Sequence, residues 1–490
     1  MRGNKVDLER IEEPNILVGN SVSVKDPKLG ILSEGPYSED GEPSLARMKV
    51  GIVGNSDTVG MVKKFLSTVE RGIDSQKPED LKNNPPFPKF TSDSTWNCEI
   101  VTKDRWNEEL PNSEIQRTDE IEQDEERIGF MADRIGDNMR KIAKPQTSPD
   151  VIIVAIPDKV DENCGLKHQM RSDSFLEGRD EIKEVETGDQ YDLFDFSEDD
   201  RLSRAFNLRR ALKIKAMELD TPIQIIREET LTSNNRLSSK AWNLFSALHY
   251  KAGGVPWRMK NKDPHTVYIG ISFYRDRKSS EEYLRTSIAQ MFTPGGESLV
   301  LEGGNAVKDD KLPHLSKEQA NNLLSNCVEK YREHKTNYPR RLVLHKRGPY
   351  EESELEGFKE ALRDKVRKRD FVSIGPSKIR LLRNGRYPTP RGLIMKTPNQ
   401  AHLYTTGYIP EKGTYPGSRI PTPLIIRLRE TDKDYQKLAS EILELSKLSW
   451  NNSNFCTREP ITTEFSSKVG EVMSEMTDKG KMKDDFRYYM

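Results

Sequence analysis

Cysteine is scarce in this chain and scattered where it occurs. The four residues stand at positions 98, 164, 327 and 456 without a CxxC pair, which argues against a zinc site built from one segment and against a disulfide framework. Long apolar runs are also missing. The longest, Val151 to Ile156, is far too short to cross a bilayer, and no basic start followed by an apolar stretch opens the chain. These absences predict a cytoplasmic protein with no membrane partner. Neither sign of charge is in excess, with 78 Lys and Arg against 79 Asp and Glu. Contact with a polyanion must therefore come from a local patch rather than a global basic field.

What is present divides into two halves. Residues 1–255 begin with short extended pieces, PNILVGN and MKVGIVGN, followed by a helical pattern over 59–70. The stretch 76–107, rich in Pro, Asn, Ser and Lys, reads as loop, and 118–142 carries helical charge patterning. VIIVAIP at 151–157 is the clearest buried strand, and the acidic, apolar-poor stretch at about 167–200 reads as an exposed loop. Strand, helix, strand, helix in this order predicts a parallel, doubly wound α/β layer with its pocket at helix and strand ends.

Residues 256–490 open with TVYIGISFYR, a central strand, and continue with SLVLEGG, RRLVLHKRG, FVSIGPSKIRLL, AHLYTTGY and TPLIIRLRE as further strands. Ser316 with Gln319 forms a capping-box pattern for a helix to about His334, and further helices are predicted over 352–363, 435–448 and 465–476. Mixed strands interleaved with helices fit an RNase H-like fold.

The chemistry lies in FNLRRALKIKAMELD, TPIQII and AWNLFSALHYKAGGVPW. Arg209 and Lys213 are four apart on one helix face, so two cations can converge on one anion. Gln224 follows on a short strand, and Lys251 ends a helix stopped by Gly253, Gly254 and Pro256. Taken singly, each is more often a solvated cation or a satisfied amide. Their order and spacing resemble the guide 5′-phosphate pocket in the MID domain of Argonaute proteins. That resemblance implies that Arg209, Lys213, Gln224 and Lys251 bind the terminal phosphate of a guide.

The order of elements after 256 resembles the PIWI domain of the same family, so the expected fold class is α/β: a Rossmann-like MID domain with an N-terminal extension, then an RNase H-like PIWI domain. Slicing members hold two divalent metal ions with carboxylates. By resemblance, Ser272 occupies the place of the first Asp and Arg347, in His345–Gly348, the place of another. A hydroxyl carries no charge and a guanidinium is a permanent cation, so cleavage is expected to be lost. His345 reads as structural, and Asn451 and Asn452, near where a last ligand would fall, are neutral.

Between Pro376 and Lys396 stand Lys378, Arg380, Arg383, Arg386, Arg391 and Lys396 without one acidic residue. This is either a hairpin basic on its exposed side or a surface that contacts guide and target backbones. The closing DDFRYYM resembles the buried end of bacterial Argonautes, which implies that Met490, through its carboxylate, helps hold Mg²⁺ at the guide phosphate, with the two tyrosines as packing anchors. The length leaves no room for N-terminal and PAZ domains, as in short prokaryotic Argonautes. Those imply a short guide RNA, a single-stranded target DNA from plasmid or phage, and a separate APAZ-bearing effector, commonly a TIR or sirtuin-like NADase and less often a nuclease, whose activity depletes NAD in abortive infection. Oligomerisation on activation stays open. The alternatives are an active guided nuclease with other ligands and a purely structural subunit.

Overall fold

The computed structural model describes residues 7–75, 81–144, 147–165, 206–233, 236–260, 263–275, 285–293, 298–306, 313–417, 420–476 and 479–490. The acidic stretch at 167–200 lies outside the described residues. The chain starts with strand β1 (Asp7–Arg10), followed by β2 (Ile16–Val18), β3 (Val22–Val24) and the paired β4 (Ser38–Glu39) and β5 (Glu42–Pro43).

A four-stranded parallel sheet organises the first half. Its strands are β6 (Arg47–Gly54), β7 (Glu99–Glu109), β8 (Val151–Ile156) and β9 (Ile223–Arg227), in the spatial order β7-β6-β8-β9. All six residues of β8 are buried, as a strand covered on both faces by helices requires. The helices Ser56–Arg71 and Asp124–Ile142 supply that cover through Val59, Val62 and Val69 on one side and Ile128, Met131 and Ile135 on the other.

Strand β7 corrects the sequence reading, which gave residues 76–107 as loop. It is an edge strand with most of its side chains in solvent, so no apolar alternation marks it.

The second sheet has nine strands in the order β1-β16-β17-β18-β15-β14-β11-β12-β13. Besides β1 these are β11 (Thr266–Arg275), β12 (Arg285–Phe292), β13 (Ser298–Asn305), β14 (Arg341–Arg347), β15 (Lys368–Pro376), β16 (Leu393–Lys396), β17 (Ala401–Leu403) and β18 (Leu424–Glu430); the short β10 (Arg258–Met259) pairs with β2 instead. β11, β14 and β15 run parallel at the centre, and antiparallel strands flank them. Strand β12 is missing from the sequence reading.

Alternation along β11 builds both layers. Val267, Ile269 and Ile271 pack with the helices Lys317–Lys335 and Glu352–Ala361, whereas Tyr268 and Tyr274 face the core that holds Phe465 and Val469 of the helix Ile461–Met473. Gly270 lies on the second face, where any Cβ would run into the carbonyl of Thr462; only glycine allows this close approach. The expected capping box is formed, with Gln319 N donating to Ser316 Oγ at 3.2 Å and Ser316 N to Gln319 Oε1 at 2.8 Å.

The two halves interlock. Strand β1, counted with the first half in the sequence reading, pairs with β16 at the margin of the nine-stranded sheet, with Asp7 opposite Lys396. At the other end Tyr489 is fully buried and Met490 nearly so, and Phe486 stacks on Phe465 at 3.8 Å. No helix among the described residues is long and apolar enough to cross a membrane.

Candidate nucleic-acid interface

The helix Leu208–Glu218 is started by Asn207, whose side chain accepts from Arg209 N at 2.8 Å. Arg209 is exposed in its first turn. Lys213, one turn on, is half-buried by area, but its ammonium points inward and donates to the main-chain oxygen of Tyr489 at 2.9 Å. Lys251 ends the helix Leu237–Lys251 and is buried. The chain leaves through Gly253, whose φ of 102° favours a residue without Cβ. Lys251 Nζ donates to Ile223 O and Gln224 Oε1, each at 2.8 Å, and to Met490 O at 3.3 Å. Gln224 is fixed in turn, with Nε2 donating to Ile225 O at 3.1 Å.

The structure thus brings Lys213, Gln224 and Lys251 together around the end of the chain, with Arg209 close enough to act on both lysines. Burial, reinforced by the charge of Arg209, pushes Lys213 from 10.5 down to about 7, with Glu471 opposing the shift. Lys251 is driven well below its ordinary value, first by burial and then by Lys213, Arg209 and Lys468. Of the other carboxylates nearby, Glu475 takes Arg210 at 3.0 Å and Glu464 takes Lys468 at 2.6 Å, which leaves Glu471 as the acidic group acting on Lys213. Crowding of like charges and burial thus act in the same direction on both lysines, and a bound anion would act in the other.

Lys468 was missed in the sequence. It lies on the helix Ile461–Met473, which packs against Leu208–Glu218, and only the tertiary fold brings it to the pocket. The residues lie at strand and helix ends, Gln224 on β9 and Lys251 closing its helix. Gln224 is near the start of the outer strand β9, where that strand meets Met490 through the Lys251 ammonium.

The oxygens of Tyr489 and Met490 each accept from a lysine ammonium, and among the described residues no three His, Cys, Asp or Glu side chains are grouped to hold a metal ion.

The second candidate site is on β11 and β14, where Ile271 pairs with Lys346. One residue further along are Ser272 and Arg347. Ser272 is buried, and its hydroxyl has no hydrogen-bond partner among the described residues. Arg347 donates to Glu459 Oε2 through Nε at 3.1 Å and Nη2 at 2.6 Å. His345 is buried against Thr462 Oγ1 at 2.8 Å, and burial, aided by Arg341, lowers it to about 3. Lys346 is buried on Glu354 at 2.6 Å. Asn451 and Asn452 are half-buried, and Asn452 Oδ1 accepts from Asn454 N. Glu459, the carboxylate actually present, precedes its helix and carries no motif that reveals it.

The basic stretch divides. Lys378, Arg380, Arg383 and Arg386 are exposed. Arg391 is not a surface cation, contrary to the reading of it as a backbone contact. It is buried, ion-paired with Glu13 at 2.8 Å and bonded to Leu443 O and Ser446 Oγ. Lys447 shares the same carboxylate at 2.9 Å. Lys396 is likewise engaged, at 2.5 Å from Glu9 across the β1–β16 pair.

This pairing of a parallel sheet with a large mixed sheet has counterparts among solved structures. Clostridium butyricum Argonaute bound to a guide DNA and a 19-mer target DNA superposes over 96% of this chain with a TM-score of 0.61 and 14% identity. The chain has an Argonaute fold. Aquifex aeolicus Argonaute, in a crystal structure with externally bound siRNA, matches 98% of the chain at a TM-score of 0.58 and 14% identity. Drosophila Piwi matches 98% at 0.56 and 12% identity. The chain spans about half the length of these proteins, covering 53% of the first and 56% of the other two. No protein-family model matches the sequence, and no curated protein sequence matches it. The likeness of Argonaute architecture is therefore one of fold, at a level of identity where residue roles have to be argued from the site itself.

Proposed function

We propose that the chain is a guide-binding sensor: it holds the 5′-phosphorylated end of a short guide RNA with Arg209, Lys213, Gln224 and Lys251, and pairs that guide with single-stranded target DNA without cutting it. The observation that carries this reading is that the ammonium groups of Lys213 and Lys251 both point inward onto fixed oxygens, with burial and Arg209 lowering the pKa of each. A terminal phosphate entering this cradle restores both charges. Ile223 O and Gln224 Oε1 keep the Lys251 ammonium aimed, and Arg209 closes the site from solvent. The phosphate gives affinity and register, while base pairing with the guide supplies sequence recognition.

Loss of cleavage is part of the proposal. Two-metal hydrolysis needs carboxylates that bring ions together; Ser272 offers a neutral hydroxyl, and Arg347 fixes Glu459 with a permanent cation. A Mg²⁺ at the guide end would be held by the guide's own phosphates together with the Met490 carboxylate. On this reading the chain is a short prokaryotic Argonaute acting in the cytoplasm. A separate APAZ-bearing effector, an NADase of the TIR or sirtuin-like kind, would supply the enzymatic activity and deplete NAD when invading DNA pairs with the guide.

Comparing 5′-phosphate with 5′-hydroxyl guides of one sequence tests the pocket. The wild-type chain should prefer the phosphate by well over tenfold, since hydrogen bonds to charged groups contribute about 1.5–3 kcal/mol each. Lys213→Ala with Lys251→Met should abolish the preference. Equal wild-type affinities for the two guides would refute the assignment.

A further inference from the structure

The segment between β15 and β16 is a built loop rather than a basic tail. Its base is pinned: Ser377 Oγ meets His402 Nδ1 at 2.8 Å, Leu381 N donates to Tyr404 Oη at 2.6 Å, and Thr389 Oγ1 donates to Leu381 O at 2.7 Å. Gly385, with φ of 120°, reverses the tip. Held outward by this frame are Lys378, Arg380, Arg383 and Arg386, none of them in an ion pair among the described residues.

Charge is only part of the surface. Tyr387 and Tyr408 stack with ring centres 4.7 Å apart and planes 13° from parallel. The Arg383 guanidinium lies 5.4 Å from the centre of the Tyr408 ring, and that of Arg386 5.5 Å from Tyr387. Leu382, at the tip, is 79% exposed. A cationic loop that contacts phosphates alone has no use for an exposed leucine beside stacked planar groups. Unpaired nucleotides fit all three features, because they bring phosphates for the cations, π-faces for the Arg–Tyr stack and an edge against which an apolar side chain packs.

We propose that this loop binds an unpaired segment of single-stranded nucleic acid, with Lys378, Arg380, Arg383 and Arg386 on its phosphates and Leu382 against its bases. The inference rests on the nucleic-acid reading above and adds a second contact point, separate from the 5′-phosphate pocket. An acidic protein or an anionic membrane would use the charges but not the ordered stack.

The test is fluorescence anisotropy with the full chain and a labelled oligothymidylate of about 12 nucleotides, within the usual site-size range, carrying a 5′-hydroxyl so that the pocket gains nothing. Four neutralised phosphates predict a log–log salt slope of about −3, falling by about 1.4 in Arg383→Ala/Arg386→Ala. Leu382→Ser should weaken single-strand binding about tenfold, the scale of losing one buried leucine, with the slope unchanged and with no effect on a blunt duplex. Equal losses on single strand and duplex would overturn the base contact. Preferential binding to phosphatidylserine vesicles, or wild-type affinity in both loop variants, would overturn the loop as a nucleic-acid site. The pocket double variant should lose the phosphate preference yet keep hydroxyl-oligonucleotide binding, so either reading can fail without the other.

Discussion

Lys251 Nζ and Gln224 Oε1 stand 2.8 Å apart inside the protein, the amide oxygen holding an amino group whose pKa burial and neighbouring cations lower well below its ordinary value. Gln224 is thus a positioning residue for Lys251. Gln224→Ala should reduce the affinity for a 5′-phosphorylated guide by about tenfold, the worth of one hydrogen bond to a charged group. Gln224→Glu, which offers Lys251 a competing carboxylate, should reduce it further. Filter binding with both guide forms reads the effect, and an unchanged phosphate preference in both variants would remove Gln224 from the pocket.

Guide binding should take up protons. Lys213 falls to about 7 in the unliganded chain from an ordinary value of 10.5, through burial and the charges of Arg209, Lys468 and Arg210 against Glu471. Between those two values the folded state binds fewer protons than the unfolded state, so this group makes the unliganded chain more stable as pH rises across that window. A bound phosphate raises the lysine again, so affinity should fall as pH climbs above about 7, while the phosphate itself is already mostly doubly charged. Calorimetry in buffers of different ionisation enthalpy measures the uptake directly. A heat independent of the buffer would contradict it.

Incubation of the guide-loaded chain with labelled complementary DNA and Mg²⁺ or Mn²⁺ should yield no guide-dependent products. Discrete fragments would show that ligands other than the positions of Ser272 and Arg347 assemble a metal site.

Glu13→Gln should destabilise the fold by about 3–5 kcal/mol, the usual result of removing one partner from a buried ionic group. Burial opposes charge on Glu13, yet Arg391 and Lys447 together hold its carboxyl below the ordinary value. Loss of that carboxylate leaves two buried cations facing each other. Urea denaturation followed by tryptophan fluorescence provides the measurement, and a change below about 1 kcal/mol would mean that water has replaced the carboxylate.

Much of the architecture was legible because burial writes itself into sequence. The unbroken apolar run of β8, the β pattern of β11 and the Ser316–Gln319 cap each follow from local rules, and each element formed where expected. Strand β7 was illegible because an edge strand in water needs no apolar period. Within the candidate sites, Arg209 and Lys213 could be paired by helical spacing, and chain order added Gln224 and Lys251. Lys468 and Glu459 could not, since Lys251 and Arg347, on which they act, are more than a hundred residues away and only folding brings them close. Arg391 misled for the complementary reason. Inside a run of exposed cations nothing distinguishes the one that turns inward, and its partner Glu13 lies at the far end of the chain.

Strand β1 carries a practical lesson for anyone who wishes to study the halves apart. A fragment beginning at residue 256 would keep β16 but lose the strand that covers it, together with the Glu13 carboxylate that Arg391 and Lys447 share. Such a fragment should need the missing N-terminal peptide, supplied in trans, before it folds.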